Sequence, residues 1–133
     1  MTSAYEQLGG TPFFERLAAA FYRNVERDAP LRAMYPTDLG EATRSLALFL
    51  QQYFGGPDDY SAAKGHPRLR MRHAHLAIDN AARDSWFAAM SAAIDEASVE
   101  QPLRSAMLEY FTTSADWMIN TEEAQPQTPG TSE

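Results

Sequence analysis

The side chains best suited to chemistry lie in one short stretch, residues 64–75. It holds all three histidines and four of the eleven Lys and Arg residues of an otherwise acidic chain. If this stretch is helical, Arg68 and Arg72 lie one turn apart on one side, and His73 shares the adjacent apolar side with Leu69. An inward histidine with guanidinium groups at its edge suits a ligand that has an apolar body and an anionic rim.

The histidines do not have the spacing of a protein-only metal site. His73 and His75 are two residues apart and point in nearly opposite directions on a helix, and the chain has no cysteine. A hydrolase that uses His73 lacks a nucleophile motif such as G-x-S-x-G. Two interpretations stay open. His73 alone could bind a haem iron, which needs no second protein ligand. Alternatively, the chain is a haem-free helical interaction module whose basic cluster contacts an acidic partner or nucleic acid; this basic cluster consists of Lys64, Arg68, Arg70 and Arg72.

Three aromatic residues with polar atoms are the next candidates. Taken singly, Tyr22, Tyr35 and Trp86 are each best explained as core residues. Buried Tyr and Trp side chains nevertheless need partners for their O–H and N–H groups. Three donors with few obvious acceptors therefore indicate a buried group that accepts hydrogen bonds.

The composition is typical of one globular domain: 133 residues, of which 44% are hydrophobic and 22% charged. The absence of cysteine rules out disulfides and fits a reducing cytoplasm. A net charge of -7 argues against general binding to a nucleic-acid backbone. The first residues lack a secretion signal, and no apolar stretch approaches the length of a membrane span. We therefore expect a cytoplasmic protein without a membrane or nucleic-acid partner.

The elements that must position these residues are helices, because helical periodicity recurs while strand signals are scarce. Ser3 and Glu6 have capping-box spacing, and Thr11-Pro12 has the form of an N-cap followed by the first helical residue. Ala29-Pro30 and Pro67 each open a short helix. The pattern predicts an all-α domain of six or seven helices, the longer ones at about Thr11–Arg27, Gly40–Phe54, Asp79–Ser98 and Pro102–Ile119.

The helix at 40–54 is predicted to bury one side, and the end of the chain is predicted to be disordered. The buried side of that helix carries Leu39, Ala42, Leu46, Phe49, Leu50 and Tyr53. Residues 122–133 are polar and proline-bearing and lack core formers. We therefore expect one folded domain at 1–121 and a disordered polar tail.

Several strings of this sequence together resemble a known family, the group II truncated haemoglobins. They are LGG at 8–10, AAAFYRNV at 18–25, LRAMYP at 31–36, LALFLQQYFGGP at 46–57, YSAAKGHPRLRMRHA at 60–74 and RDSWFAAM at 83–90. The resemblance covers about residues 4–121. It implies a shortened globin, a two-over-two helical sandwich around a non-covalent haem b.

The resemblance also implies roles for individual residues. His73 matches the proximal ligand of the haem iron, and Arg72 matches a residue near a haem propionate. On the distal side, Tyr22, Tyr35 and Trp86 match donors to the bound ligand. Ala42 and Leu46 match further distal positions, and Phe49, Tyr53, Tyr60, Leu69 and Met107 match haem contacts.

Two positions depart from the family pattern. Ala42 stands where many globins place a distal histidine or glutamine, so this helix offers no hydrogen bond there. Ser45 stands where relatives often carry a propionate-binding arginine. The polar contacts to a ligand must then come from the two tyrosines and the tryptophan.

The implied function is reversible binding of oxygen and other diatomic gases such as NO and CO. Nitric-oxide dioxygenation and peroxidase-like reduction are further roles, each of which requires a reductase that the sequence does not identify. The haem-free interaction module remains the alternative, and a homodimer remains open as the assembly.

Overall fold

The computed structural model describes residues 3–56 and 78–119, and the regular structure in both ranges is α-helical. This confirms the predicted all-α class for this part of the chain. Six helices are described there: α1 Ala4–Leu8, α2 Thr11–Glu26, α3 Ala29–Arg32, α4 Gly40–Tyr53, α5 Asn80–Glu96 and α6 Leu103–Met118. The predicted short helix around the basic cluster and the predicted tail lie outside the described residues.

Side-chain caps begin two of the helices where the sequence predicts them. The Ser3 hydroxyl accepts a hydrogen bond from the backbone N–H of Glu6 at 3.2 Å and caps α1. The Asp79 carboxylate accepts from the N–H of Ala82 at 2.9 Å and caps α5. Each cap satisfies a donor that the first turn of a helix leaves without an intrahelical partner.

The predicted N-cap at Thr11 is wrong. The N-cap of α2 is Gly10, and Thr11 is the first helical residue. The Thr11 hydroxyl is used elsewhere: it donates to the side-chain oxygen of Gln51 at 2.8 Å and lies 2.7 Å from the Tyr5 hydroxyl. A tertiary contact between α2 and α4 has therefore taken the oxygen that a local cap would use.

The apolar core lies where α2 packs against α4 and α5, and where α5 packs against α6. Helix α2 contributes Phe14, Leu17 and Val25, each with no exposed surface. The facing helices contribute Leu50, Met90, Ile94, Met107 and Phe111, all at most 2% exposed. Full burial of such a side chain stabilises the fold by roughly 1.5–3 kcal/mol, so this core fixes the helices that position the site.

Helix α1 closes against the end of α4. The N–H of Tyr5 donates to the carbonyl of Phe54 at 2.8 Å, and the Tyr5 ring stacks on Phe14 with centroids 5.8 Å apart. A Cβ atom at Gly56 would lie 2.5 Å from the Tyr5 ring. Only glycine permits this close approach of the backbone to the ring.

The two inward stripes of α4 differ in burial. Ala47, Leu50 and Gln51 are buried, whereas Ala42, Leu46 and Phe49 are only half-buried. The expectation that Tyr53 belongs to the buried side is wrong, because this residue is 53% exposed. Its ring stacks instead on Tyr110 of α6, with centroids 4.0 Å apart.

Candidate functional site

A cavity of about 290 Å³ lies between α2, α4, α5 and α6. Its walls are largely apolar, and the half-buried stripe of α4 forms one of them. Side chains from both described parts of the chain contribute, among them Phe21, Leu31, Met34, Leu46, Phe49, Ile78 and Phe111. A concave apolar site with few polar groups is the usual form of a small-molecule or cofactor site.

The polar groups of the cavity include the three aromatic donors that the sequence singled out. Tyr22 comes from the middle of α2, Tyr35 from the turn after α3, and Trp86 from the first half of α5. The Tyr22 and Tyr35 rings meet edge to face, with centroids 5.4 Å apart at 89°. Phe21 packs on Trp86 at 5.5 Å and so fixes the indole relative to α2.

The polar ends of the three side chains lie near one another, because hydrogen bonding with Tyr22 and with Trp86 acts on the pKa of the Tyr35 hydroxyl. Burial raises the pKa of Tyr35 to about 12, although both hydrogen bonds oppose that rise. Burial, the neighbouring Tyr35 charge and the hydrogen bond to Tyr35 all raise the pKa of Tyr22 above its ordinary value. Both phenols are therefore neutral near pH 7 and keep their protons for donation.

The arrangement brings two phenol hydroxyls and one indole N–H to one end of an apolar cavity. Each of these groups carries one donor proton. An acceptor that enters the cavity can therefore take a hydrogen bond from this group of donors.

The predicted apolar residues divide between the cavity and its surroundings. Ala42, Leu46 and Phe49 line the cavity. Met107 is fully buried in the core and Tyr53 is exposed; neither is among the lining residues. The haem-contact roles of these two residues remain predictions.

Four predicted site residues lie outside the described residues: His73, Tyr60, Leu69 and Arg72. Their roles, including the proximal one, therefore remain predictions. In the described ranges 3–56 and 78–119, no group of three or more His, Cys, Asp or Glu side chains could hold a metal ion. Across those ranges, no helix is long and apolar enough to cross a membrane.

The sequence reasoning missed the arginine at the edge of the cavity. Arg83 lines the cavity, and its guanidinium pairs with Asp116 at 2.8 Å and Asp84 at 3.1 Å. It also lies over the Phe87 ring, 5.2 Å from the centroid. The available signal was its position three residues before Trp86, which puts both side chains on one side of α5.

Two polar residues of α6 were also missed as cavity residues. Tyr110 and Ser114 both line the cavity. Burial raises the pKa of Tyr110 to about 12, while a hydrogen bond from Ser114 acts in the opposite direction. Their spacing of four residues on one helix was the signal that they share a face.

Sequence comparison finds relatives along nearly the whole chain. The profile of a family described as bacterial-like globin matches residues 3–120. The chain is 35% identical over 121 residues to the group 2 truncated haemoglobin of Bacillus subtilis strain 168. The match covers 91% of this chain and 91% of that protein.

Solved structures of haemoglobins superpose closely on this fold. The haemoglobin of the thermophilic phototrophic bacterium Chloroflexus aurantiacus matches with a TM-score of 0.88 and 48% identity, covering 90% of this chain and 99% of that one. A truncated oxygen-avid haemoglobin from Bacillus subtilis matches with a TM-score of 0.85 and 34% identity, covering 90% and 100%. The similarity therefore extends over the helices that surround the cavity.

Proposed function

The chain belongs to the group 2 truncated haemoglobins, and from that premise we propose that it binds haem b and, with it, oxygen and other diatomic gases. The all-α truncated globin fold agrees with the family. The family implies haem as the cofactor. Oxygen avidity belongs to the Bacillus subtilis relative, and for this chain it is part of the proposal.

The cavity residues fit a haem group. Leu46 and Phe49 offer apolar surface to the porphyrin face, and the tyrosine and indole donors form a polar end. His73 is the proposed proximal ligand, with Arg72 near a propionate, because an arginine fork suits a carboxylate. Haem, when bound, supplies the iron that takes up the gas.

The observation that carries the proposal is that Tyr22, Tyr35 and Trp86 meet at one end of the cavity. Buried donors of this kind need an acceptor, and a polarised diatomic ligand in an apolar cavity provides one. Each net hydrogen bond contributes about 1–1.5 kcal/mol, which slows release of the ligand about tenfold. We therefore propose that the protein retains oxygen rather than delivering it.

Slow release favours chemistry on the retained ligand. We propose nitric-oxide dioxygenation as the first reaction to measure and reduction of peroxide as the second. In either reaction the chain's own part is to exclude water and to hold donors toward the ligand. The reducing equivalents must come from a separate reductase.

Absorbance of the purified protein tests the haem proposal directly. An intense band near the violet edge is expected, and it should be largely lost in His73→Ala after passage over a desalting column. His75→Ala is the matched control, because on a helix its side chain points nearly opposite to that of His73, so that variant should keep its haem.

Two outcomes would contradict the proposal. Colourless protein that does not take up added haemin would favour the haem-free interaction module. Equal haem content in the two histidine variants would remove His73 as the proximal ligand. For the redox roles, the oxygenated protein is mixed with nitric oxide in a stopped-flow instrument, and failure to form nitrate would exclude dioxygenation.

A further inference from the structure

Tyr35 is one of the polar aromatic residues of the cavity, yet it does not lie in a helix. It follows α3, which ends at Arg32, and precedes α4, which begins at Gly40. Its backbone N–H donates to the carbonyl of Arg32 at 3.1 Å. A turn of this kind has little regular hydrogen bonding, so the direction of its side chain depends on what holds its carbonyl groups.

One guanidinium holds those carbonyls. Arg32 Nη1 donates to the carbonyl of Pro36 at 2.8 Å, and Nη2 donates to that of Thr37 at 2.7 Å. A longer contact of 3.4 Å joins Nη1 to the carbonyl of Tyr35 itself. The carbonyl oxygens of three successive residues thus accept hydrogen bonds from one side chain, and these contacts close the turn.

The contact requires the shape of arginine. Its planar fork presents several N–H groups at fixed angles and can reach two carbonyl oxygens at once, whereas lysine is a compact charge on a flexible stem. Both Nη atoms of Arg32 are used in this way. The residue therefore determines the path of the backbone at 35–37.

The position of the Tyr35 ring is set by packing. The ring meets Tyr22 edge to face at 5.4 Å and lines the cavity together with Trp86. Tyr35 is therefore held at two points, by its packing against Tyr22 and by Arg32 at its backbone. Movement of the backbone alone would swing the hydroxyl away from its partners, because the ring is rigid.

We propose that Arg32 is a positioning residue for ligand binding: it aims the Tyr35 hydroxyl into the cavity through three backbone carbonyls. This inference rests on the proposed function, because its principal readout is release of the gas. Arg32 does not line the cavity. Its influence on a ligand must therefore pass through Tyr35.

A double-mutant cycle on the haem-loaded protein tests this route. Arg32→Ala should speed oxygen dissociation about three- to tenfold, the scale set by a weakened or lost hydrogen bond. In a Tyr35→Phe background the same substitution should change the rate by less than about twofold, since coupled positions do not act additively. Arg32→Lys should give an intermediate rate, because an ammonium cannot bridge the carbonyls as the fork does.

Arg44→Ala is the matched control. Arg44 pairs with Glu41 on the exposed side of α4, so its removal should leave the rate unchanged. If Arg32→Ala speeds release equally in both backgrounds, or in neither, the inference is overturned. Should Arg32→Ala fail to fold, Arg32→Lys in the two Tyr35 backgrounds gives the same decision.

Amide hydrogen exchange in the haem-free protein gives a readout that does not depend on the gas. The amide of Tyr35 should exchange faster in Arg32→Ala than in the parent protein, while amides in the middle of α2 keep their rates. Unchanged exchange at Tyr35 would overturn the inference. Failure of the parent protein to bind haem would instead count against the proposed function, so the two failures are distinguishable.

Discussion

Helix α2 contributes to two adjoining regions of opposite character. On one part of its surface, Phe14, Leu17 and Val25 are fully buried in the apolar core. Between them, Phe21 and Tyr22 border a cavity in which three polar aromatic side chains meet. All five of these α2 residues are buried, so within this helix burial alone does not distinguish a packing residue from a site residue.

The difference lies in what each side chain meets. A core residue meets apolar atoms on every side and contributes through packing. A residue that lines the cavity packs against other side chains on one side and faces the cavity on the other, so its polar atoms can bind a ligand. Helix α4 shows the same division, with buried Ala47 away from the cavity and half-buried Ala42 and Leu46 lining it.

The largest expected effect is on the free energy of unfolding, and it tests this division directly. Leu17→Ala should lower that free energy by about 2–5 kcal/mol, the usual cost of such a truncation in a closed core. Leu46→Ala should cost clearly less, because its side chain already borders a cavity. Urea unfolding of the haem-free proteins measures both. Equal losses would mean that a core position and a cavity position are energetically alike.

The pH dependence of unfolding tests the contribution of Tyr35, a cavity residue. Its pKa rises from 10.0 in the unfolded chain to about 12 in the folded protein, so the unfolded state releases this proton first. The raised pKa stabilises the folded state fully below pH 10, and this stabilisation is lost between pH 10 and 12. The free energy of unfolding should therefore fall by about 1.4 kcal/mol from pH 8 to pH 11. Tyr35→Phe should lack this part of the alkaline loss. Urea unfolding at pH 8 and pH 11 measures the loss. Equal losses in the parent protein and in Tyr35→Phe would contradict the prediction.

Trp86→Phe addresses the indole donor. The substitution keeps an aromatic ring beside Phe21 and removes the indole N–H. Oxygen dissociation should become about five- to tenfold faster, since one hydrogen bond is lost. Stopped-flow release into dithionite measures the rate. A rate equal to that of the parent protein would exclude the indole from ligand retention.

The smallest effect is expected at the end of the chain. Deleting residues 123–133 should leave the haem spectrum and the melting temperature unchanged within error, because this polar segment lacks core formers. Thermal unfolding followed by circular dichroism, together with the absorbance spectrum, measures both. A substantial loss in either would show that the tail contributes to the folded domain.

Sequence periodicity predicted the helices and two of their caps well, because these depend on residues near each other in the chain. Ser3 and Asp79 cap their helices because each side-chain oxygen accepts from an N–H three residues later in the first turn. Thr11 does not, because Tyr5 and Gln51 engage its hydroxyl. A tertiary hydrogen bond forty residues away cannot be read from local spacing.

The cavity could be predicted only in part. Tyr22, Tyr35 and Trp86 were identified through their need for hydrogen-bond partners and through the family resemblance. Arg83 and Tyr110 were missed, because helical spacing shows which residues share a face but not where neighbouring helices separate. The contacts of Arg32 with the turn could not be predicted from the sequence either. A guanidinium that binds backbone carbonyls has no partner side chain whose residue type would identify the contact.

The contact of Tyr5 with the backbone at Gly56 has a practical consequence for handling the protein. The start of the chain is joined to the end of α4 by the hydrogen bond to Phe54, and α4 is also a wall of the cavity. A purification tag or surface attachment at the first residues would therefore disturb the position of α4. Immobilisation for gas-sensing measurements is better made through an engineered anchor on the exposed side of α6, at Glu109, than through the amino terminus.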